Sequence, residues 1–432
     1  MRRRAGRRAS NSTHERLPFI EGLRGIAALY VVLTHFGSMI DPSHLAGTKS
    51  KAPGWLQSII HPLWYGHLAV AAFIVLSGYC LQTSLFGGKD GRIHNFRKFY
   101  ARRARRILPP YYATLILSVL VSIYITSKQP GMPFSQYVPV TRENVLAHVF
   151  MLQNFRPDWM YKLNGVLWSI SIEWQLYILF PILVALLLKV GRVLYVAVSA
   201  LAAVALLMYI PDAIKLYVWY VPLFALGMAA SHLAYRPNLR VGILPRLSAY
   251  VCVMATASCV YTCYLEGGTK PAMLPICDAF VGIAVAALVY LGTVAPWTPF
   301  TKLFAWKPIA GLGFFSYSLY LMHHPILQVL YVNRPAWANR PESGAAYLMI
   351  ICLPVILLAC YLFSRLFEMP FMATKKSRVP SQRELGAPVA LPLMSRMAVV
   401  QTERAARAEA LVQATLATAE KTTPAAAPAS GA

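Results

Sequence analysis

Long apolar runs alternate with short polar segments along the chain. A helix of about twenty apolar residues crosses a bilayer and satisfies all its own backbone hydrogen bonds. The pattern therefore predicts an all-α, polytopic integral membrane protein with about ten transmembrane helices. The ten runs lie approximately at residues 19–40, 64–86, 108–127, 166–188, 192–210, 214–234, 247–265, 273–294, 310–331 and 346–367.

The composition supports this prediction and excludes an ordinary soluble domain. Hydrophobic residues make up 57% and charged residues 13% of the 432 residues, and the mean hydropathy is +0.50. A soluble domain of this size carries roughly 25% charged residues. The seven cysteines lie in or at the ends of apolar runs without a CxxC or a Cys/His spacing, so we expect packing roles and no metal site.

The net charge of +25 is distributed unevenly. If the N-terminus is cytoplasmic, the inner segments hold roughly twice as many Lys and Arg residues as the outer ones. The positive-inside rule then predicts that both termini are cytoplasmic. The basic residues thereby act as an orientation signal, and no interleaving with aromatic residues indicates a nucleic-acid partner.

Three regions follow from this arrangement. Residues 1–18 form a basic cytoplasmic segment, and residues 19–371 form the transmembrane domain. Residues 372–432 form an Ala-rich cytoplasmic tail that we expect to be largely disordered, although 396–421 is rich in helix formers.

Two ionisable residues lie inside the first predicted span. Arg24 and His35 are eleven residues apart, about three helical turns, so they share one helix face. Ionisable residues inside a span usually mark a pathway or a reaction site. His35 suits a general base or a nucleophile, and the alternative is a hydrogen-bonded packing residue. Arg24 suits a phosphate or carbonyl, and the alternative is that it snorkels to the inner interface.

A basic segment, RKFYARRARRILPPYY, precedes the third predicted span at residues 97–112. Arg103 and Arg106 are three residues apart and therefore neighbours on one face of a helix. Arginine forks bind phosphate oxygens, whereas the alternative is a topology signal alone. Pro109 and Pro110 suit the first turn of the span.

Further titratable residues occur in the fourth and ninth predicted spans. A carboxylate buried in lipid needs a partner, and without one it is protonated. We expect Glu173 to pair with His35 or with an arginine, in a catalytic or a purely structural ion pair. His323 and His324 lie at a depth similar to that of His35. Adjacent helical residues point about 100° apart, so we expect at most one of these two histidines to face a shared site.

The longest external segment is predicted at residues 128–165. Its Asn154, Asp158, Trp159 and Tyr161 are residue types suited to stacking on and hydrogen-bonding a sugar. Aromatic residues in such loops also anchor proteins at the membrane interface, which is the alternative.

Five motifs in order resemble those of the acyltransferase 3 family, bacterial membrane O-acyltransferases that modify surface glycans. They are FIEGLRGIAALYVVLTHF (19–36), HLAVAAFIVLSGYCL (67–81), FYARRARRILPPYY (99–112), WSISIEWQLYILFP (168–181) and SYSLYLMHHP (316–325). The likeness extends from about Phe19 to Phe371, with Glu21 in place of the usual aspartate before GLRG.

The resemblance implies an enzyme of the bacterial inner membrane that moves an acyl group, usually acetyl, from cytoplasmic acyl-CoA to a hydroxyl of a glycan or glycolipid. It implies no bound cofactor, since acyl-CoA is a co-substrate. The family's motifs match Arg24, Arg103 and Arg106 as donor-binding residues and His35 and Glu173 as catalytic residues. From the same motifs we expect His323, Tyr320, Trp168 and Ser77 to contact the acceptor or support the site.

The residues leave several alternatives open. His35 could deprotonate an acceptor hydroxyl or carry the acyl group itself. Buried Arg, Glu and His residues also suit a secondary transporter of a small anionic solute. A third alternative is acylation of a small molecule or a lipid intermediate. The acceptor, the acyl chain and the oligomeric state do not follow from the sequence.

Overall fold

The protein is described here from a computed structural model covering residues 17–86, 92–210, 213–235, 244–266, 270 and 272–372. These residues form α-helices joined by short 3₁₀ and π-helical turns, with no β-strand among them. The predicted tail, including the possible helix at 396–421, lies outside the described residues, as does nearly all of the predicted N-terminal segment.

Seventeen α-helices follow one another in the described part of the chain. They are α1 (Pro18–Ile40), α2 (Ser43–Ala46), α3 (Gly54–Ile60), α4 (Gly66–Leu85), α5 (Phe96–Tyr124), α6 (Arg142–Val149), α7 (Pro157–Met160), α8 (Leu167–Val190), α9 (Arg192–Tyr209), α10 (Tyr220–Tyr235), α11 (Leu244–Glu266), α12 (Leu274–Val294), α13 (Pro299–Phe304), α14 (Lys307–Phe314), α15 (Ser316–Val332), α16 (Pro341–Tyr347) and α17 (Leu353–Phe363).

Seven helical stretches of the described chain are long and apolar enough to cross a membrane. They are Pro18–Ile40, Gly54–Leu85, Phe96–Lys128, Leu167–Val190, Arg192–Tyr209, Leu274–Val294 and Pro341–Phe371. The other three predicted spans are also helical, as α10, α11 and the pair α14 and α15. The chain is therefore a multi-pass membrane protein, whereas the count of ten and the cytoplasmic termini stay predictions.

The start of α5 differs from the prediction. The helix begins at Phe96, and the side chain of Asn95 caps it by accepting a hydrogen bond from the Lys98 amide at 2.8 Å. Pro109 and Pro110 therefore lie inside the helix instead of in its first turn. The prediction followed apolarity alone and missed three basic turns that are helical outside the apolar run.

Glycines let some helices pack at backbone distance. A Cβ on Gly78 of α4 would lie 2.2 Å from the carbonyl oxygen of Phe224 in α10, and one on Gly227 of α10 would lie 2.1 Å from that of Val75. In the same way, a Cβ on Gly313 of α14 would lie 2.0 Å from the carbonyl oxygen of Glu21 in α1. Small residues of this kind bring membrane helices close together.

Candidate active site

A narrow cavity lies between α1, α4, α5, α8 and α15 and holds about 70 Å³ of space wide enough for water. Each of these five helices contributes to its wall. The structure places six of the nine predicted site residues there, namely Arg24, Ser77, Arg103, Arg106, Glu173 and Tyr320. The apolar remainder of the wall includes Val70, Phe73 and Ile107.

The cavity carries an excess of positive charge, because three arginines and one glutamate are its charged lining residues in the described chain. Arg103 and Arg106 both face it, as their spacing on one helix predicted. The Nε atom of Arg103 is buried and has no hydrogen-bond partner in the described part of the protein. Leaving such an atom unpaired costs about 1–3 kcal/mol, which an anionic ligand in the cavity would relieve.

Arg24 lies in the second turn of α1, which packs closely on α14 through Gly25 and Gly313. Its guanidinium reaches the Glu21 carboxylate only at 4.0 Å, one turn earlier in the helix. A pair this long leaves the guanidinium available to a ligand. The side chain also lines the cavity.

Glu173 has partners other than the predicted ones. Its carboxylate accepts a hydrogen bond at 2.7 Å from the Ser77 hydroxyl, and a second from the Tyr177 hydroxyl. No ion pair joins it to His35 or to an arginine in the described chain, so the predicted pairing is wrong. The reason is that the Glu173 carboxylate meets the hydroxyls of Ser77 in α4 and of Tyr177 in its own helix.

Tyr320 connects the cavity to a second group of residues. Its ring lies 5.6 Å from that of Phe73 in the cavity wall and 6.3 Å from that of His323. Its hydroxyl is paired with that of Ser169 at 2.6 Å. The helix carrying it is held in place where the Ser318 hydroxyl donates to the buried Glu368 carboxylate at 2.6 Å.

The second group is a cluster of three imidazoles, here called the histidine cluster: His35, His323 and His324. The ring of His35 lies 5.2 Å from that of His323 and 4.8 Å from that of His324, centroid to centroid. The prediction that at most one of the adjacent histidines faces a shared site is wrong. The His323 and His324 side chains point about 100° apart, and the His35 ring of α1 fits between them.

Hydrogen bonding distinguishes the three imidazoles. Nδ1 of His323 lies 2.8 Å from the carbonyl oxygen of Leu319, so the neutral ring is protonated at Nδ1 and keeps a lone pair at Nε2. Both nitrogens of His324 are buried without a hydrogen-bond partner in the described residues. His35 is only partly buried, whereas His323 and His324 are buried.

Trp168, the remaining predicted residue, is buried just outside the cavity. Its ring lies 4.4 Å from that of Tyr217 and 6.2 Å from that of Tyr161, within an aromatic cluster. Asn154, expected to face a sugar, is buried, and its amide pairs with that of Gln175. Among the described residues, no group of three or more His, Cys, Asp or Glu side chains has a geometry that holds a metal ion.

The sequence prediction missed Tyr177, Tyr317 and Ser169 in the cavity and His324 in the cluster. Tyr177 had a usable signal, because it lies one helical turn after Glu173 and hence on the same face. Tyr317 and Ser169 had none, since a hydroxyl on an apolar helix shows no preference for a partner until the neighbouring helix is known.

A family model for an acyltransferase domain matches residues 17–365, most of the chain. YrhL of Bacillus subtilis is 25% identical over 354 residues, covering 73% of this chain and 49% of that protein. The peptidoglycan O-acetyltransferase OatA of Listeria monocytogenes is 22% identical over 377 residues, covering 79% of this chain and 55% of its own length.

The O-acetyltransferase OatA of Staphylococcus aureus is 26% identical over 363 residues, covering 73% of this chain and 51% of that protein. The chain thus spans about half the length of the curated relatives it matches. No solved structure matches it.

Proposed function

The chain belongs to the acyltransferase 3 family, and we propose from this that it moves an acetyl group from cytoplasmic acetyl-CoA to a hydroxyl of a surface glycan. The reaction takes place in the bacterial inner membrane. One observation supports the proposal above all others: the arginine-lined cavity and the histidine cluster adjoin each other through Tyr320.

The cavity is suited to the donor. Coenzyme A carries phosphate groups, and Arg103 and Arg106 bind them as guanidinium forks at the cavity wall. Arg24 reaches into the same cavity and contacts the diphosphate or the arm that follows it.

His35 is the catalytic residue in this proposal and acts as a general base. It takes the proton of the acceptor hydroxyl while the hydroxyl oxygen forms an ester bond to the acetyl carbon. The carbon–sulfur bond of the thioester breaks, and the proton passes from His35 to the released thiolate. The products are the acetylated glycan and free coenzyme A. His323 and His324 fix the orientation of the His35 ring.

Glu173 takes a positioning role. Its hydrogen bonds hold the hydroxyls of Ser77 and Tyr177 against the cavity wall, beside the arginines. Its charge also compensates part of the positive charge of the cavity when no donor is bound.

The relatives indicate the acceptor class. One is named a peptidoglycan O-acetyltransferase and another an O-acetyltransferase, so a glycan hydroxyl is the acceptor we propose.

The test is acetyl transfer by purified protein in sealed vesicles of known orientation. Radiolabelled acetyl-CoA is supplied on the side of the basic loops, and a short peptidoglycan-like oligosaccharide on the other. We expect labelled oligosaccharide ester and stoichiometric free coenzyme A from the wild type, and neither from His35→Gln. Movement of acetyl-CoA or another anion without ester formation would instead indicate a transporter. Label trapped on the protein after rapid quenching would replace the general-base mechanism with an acyl-histidine.

A further inference from the structure

A second cavity lies outside the helix bundle, between the segment Phe134–Tyr137 and the helices α6 and α7. We call it the loop pocket. It has a volume of about 500 Å³. Its lining includes Gln136, Thr141, Asp158, Trp159, Tyr161 and Lys162. The family motifs lie elsewhere in the sequence, and the reaction described above does not use these residues.

Hydrogen bonds fix the wall of the loop pocket. The Lys162 ammonium donates to the carbonyl oxygen of Val138 at 2.5 Å, and the Leu163 amide donates to that of Tyr137 at 3.0 Å. Thr141 and Asn144 form a capping box at the start of α6. A pocket built in this way is largely preformed, so a ligand does not have to order the loop on binding.

The loop pocket adjoins the histidine cluster. The Gln136 amide in its wall donates to the Tyr137 hydroxyl at 2.7 Å, and the Tyr137 ring lies 4.5 Å from that of His324. A Cβ on Gly165 would lie 2.9 Å from the Tyr137 ring and 3.3 Å from Nε2 of His324, so glycine allows this contact.

Asn164, the residue before Gly165, joins the loop to α15. Pro325 has no amide hydrogen for the carbonyl oxygen of Leu321, and the Asn164 side chain donates to that oxygen at 3.3 Å instead. The loop that forms the pocket is thus attached at two points to the helix that carries His323 and His324.

The chemistry of the two cavities differs. One carboxylate, Asp158, and one ammonium, Lys162, are the charged groups lining the loop pocket in the described chain, so their charges balance. The arginine cavity favours an anion, whereas this pocket offers hydroxyl, amide and carboxylate groups beside aromatic rings. Trp159 is partly exposed, and the Arg156 guanidinium lies 4.7 Å from its ring centroid, which restricts the movement of the indole.

We propose that the loop pocket binds a neutral sugar unit of the acceptor glycan, stacked on Trp159, next to the histidine cluster. The proposal rests on the proposed function for the identity of the reaction. Its binding part stands independently, because a sugar can be bound whether or not it is acetylated.

The test measures binding and turnover separately. Full-length protein in lipid nanodiscs is titrated with chitotetraose, a neutral oligosaccharide, and the dissociation constant is determined by calorimetry. We expect Trp159→Ala to weaken binding about tenfold, as expected for the loss of one aromatic stacking contact and its buried surface. Trp159→Phe keeps a ring and loses less. The matched control is Trp55→Ala, which removes an exposed tryptophan of α3 that does not line the loop pocket.

A second variant tests the loop pocket even if Trp159→Ala does not fold. Asp158 is exposed, so Asp158→Ala removes a hydrogen-bonding group from the pocket with little risk to the fold. It is expected to weaken chitotetraose binding several-fold and to leave acetyl-CoA binding unchanged. Equal chitotetraose affinity in the wild type and both variants, or loss only in Trp55→Ala, would overturn the proposal. Binding that competes with lipid headgroups and not with other sugars would also overturn it.

These outcomes are distinct from failure of the proposed function. If the wild type binds chitotetraose through Trp159 but never forms an ester, the result supports the sugar pocket and contradicts the proposed acetyl transfer. If the wild type and Trp159→Ala form the ester with the same Michaelis constant for the oligosaccharide, the result supports the acetyl transfer and contradicts the assignment of the sugar pocket.

Discussion

The imidazole of His35 in α1 lies 4.8 Å from that of His324 in α15, although nearly three hundred residues of chain separate them. The two rings meet edge to face, at 69°. His324 in turn contacts the Tyr137 ring, which the loop pocket adjoins. The orientation of His35 therefore depends on α15 and on the loop that carries Tyr137 as well as on its own helix.

Replacing the proposed base should remove the reaction without removing donor binding. We expect His35→Gln to lower the rate of acetyl transfer about 10²–10⁴-fold, since a positioned general base contributes a factor of that size. The dissociation constant of acetyl-CoA should change little, because His35 does not line the arginine cavity. Steady-state kinetics and calorimetry check this. His61→Gln, an exposed histidine, is the control. Wild-type rates in His35→Gln would contradict the assignment.

The arginines of the cavity should set donor affinity. We expect Arg103→Gln to weaken acetyl-CoA binding about 10- to 100-fold, because a hydrogen bond to a charged group is worth roughly 1.5–3 kcal/mol. The neighbouring Arg102 is exposed and does not line the cavity, so Arg102→Gln should keep wild-type affinity. Higher salt should reduce the difference between the two variants. Equal effects of both substitutions would show that net charge alone matters.

The contact between Tyr137 and the histidine cluster should require a glycine at position 165. In Gly165→Ala the new methyl group would meet the Tyr137 ring at 2.9 Å, a distance that forces one partner to move. We expect slower transfer, by about an order of magnitude, as sub-ångström misplacement near reacting groups produces. Donor affinity should be unchanged. Gly311→Ala has open space around its added methyl group and should behave as wild type. A fully active Gly165→Ala would mean that this contact is unimportant.

The short helix α6 should lose stability in acid. Burial lowers the pKa of the His148 imidazole to about 4, whereas a free histidine titrates near ~6.5. Between these values the unfolded chain binds more protons than the folded chain, so stability falls as the pH falls from about 6.5 towards 4. From pH 7 to pH 5 the contribution is about 2 kcal/mol.

Denaturant unfolding of the detergent-solubilised protein at both pH values checks this prediction. His148→Gln keeps an N–H donor for the carbonyl oxygen of Asn144, which Nδ1 contacts at 2.7 Å in the wild type. Between pH 7 and pH 5, the free energy of unfolding should fall by about 2 kcal/mol less in the variant than in the wild type. Identical pH dependence in the two proteins would show that His148 is not the group responsible.

The helical architecture was predictable because lipid leaves the backbone few choices. Every predicted apolar run is helical in the structure, including those of α10 and α11 that fall outside the seven membrane-spanning candidates. The start of α5 was not predictable from apolarity, since Phe96 to Arg106 is a basic helix capped by Asn95. Such a helix requires attention to the cap and not to the hydropathy.

The candidate site was predictable residue by residue but not in its arrangement. The spacing of Arg103 and Arg106 placed both on one face, because that relation is internal to a helix. The predicted partner of Glu173 was wrong, because the actual partner depends on how α8 packs against α4. The periodicity of the sequence does not show which helices are in contact. His324 was missed for a similar reason: the shape of the gap that His35 fills belongs to two helices together.

One helix, α15, presents Tyr320 to the arginine cavity and, about one turn later, His323 and His324 to the histidine cluster. A displacement along its axis moves both sets of side chains by the same amount. A ligand in the arginine cavity and a ligand beside the histidine cluster would therefore affect each other's binding. Each would change the equilibrium affinity of the other by one common factor, as reciprocity demands of any coupled pair of sites.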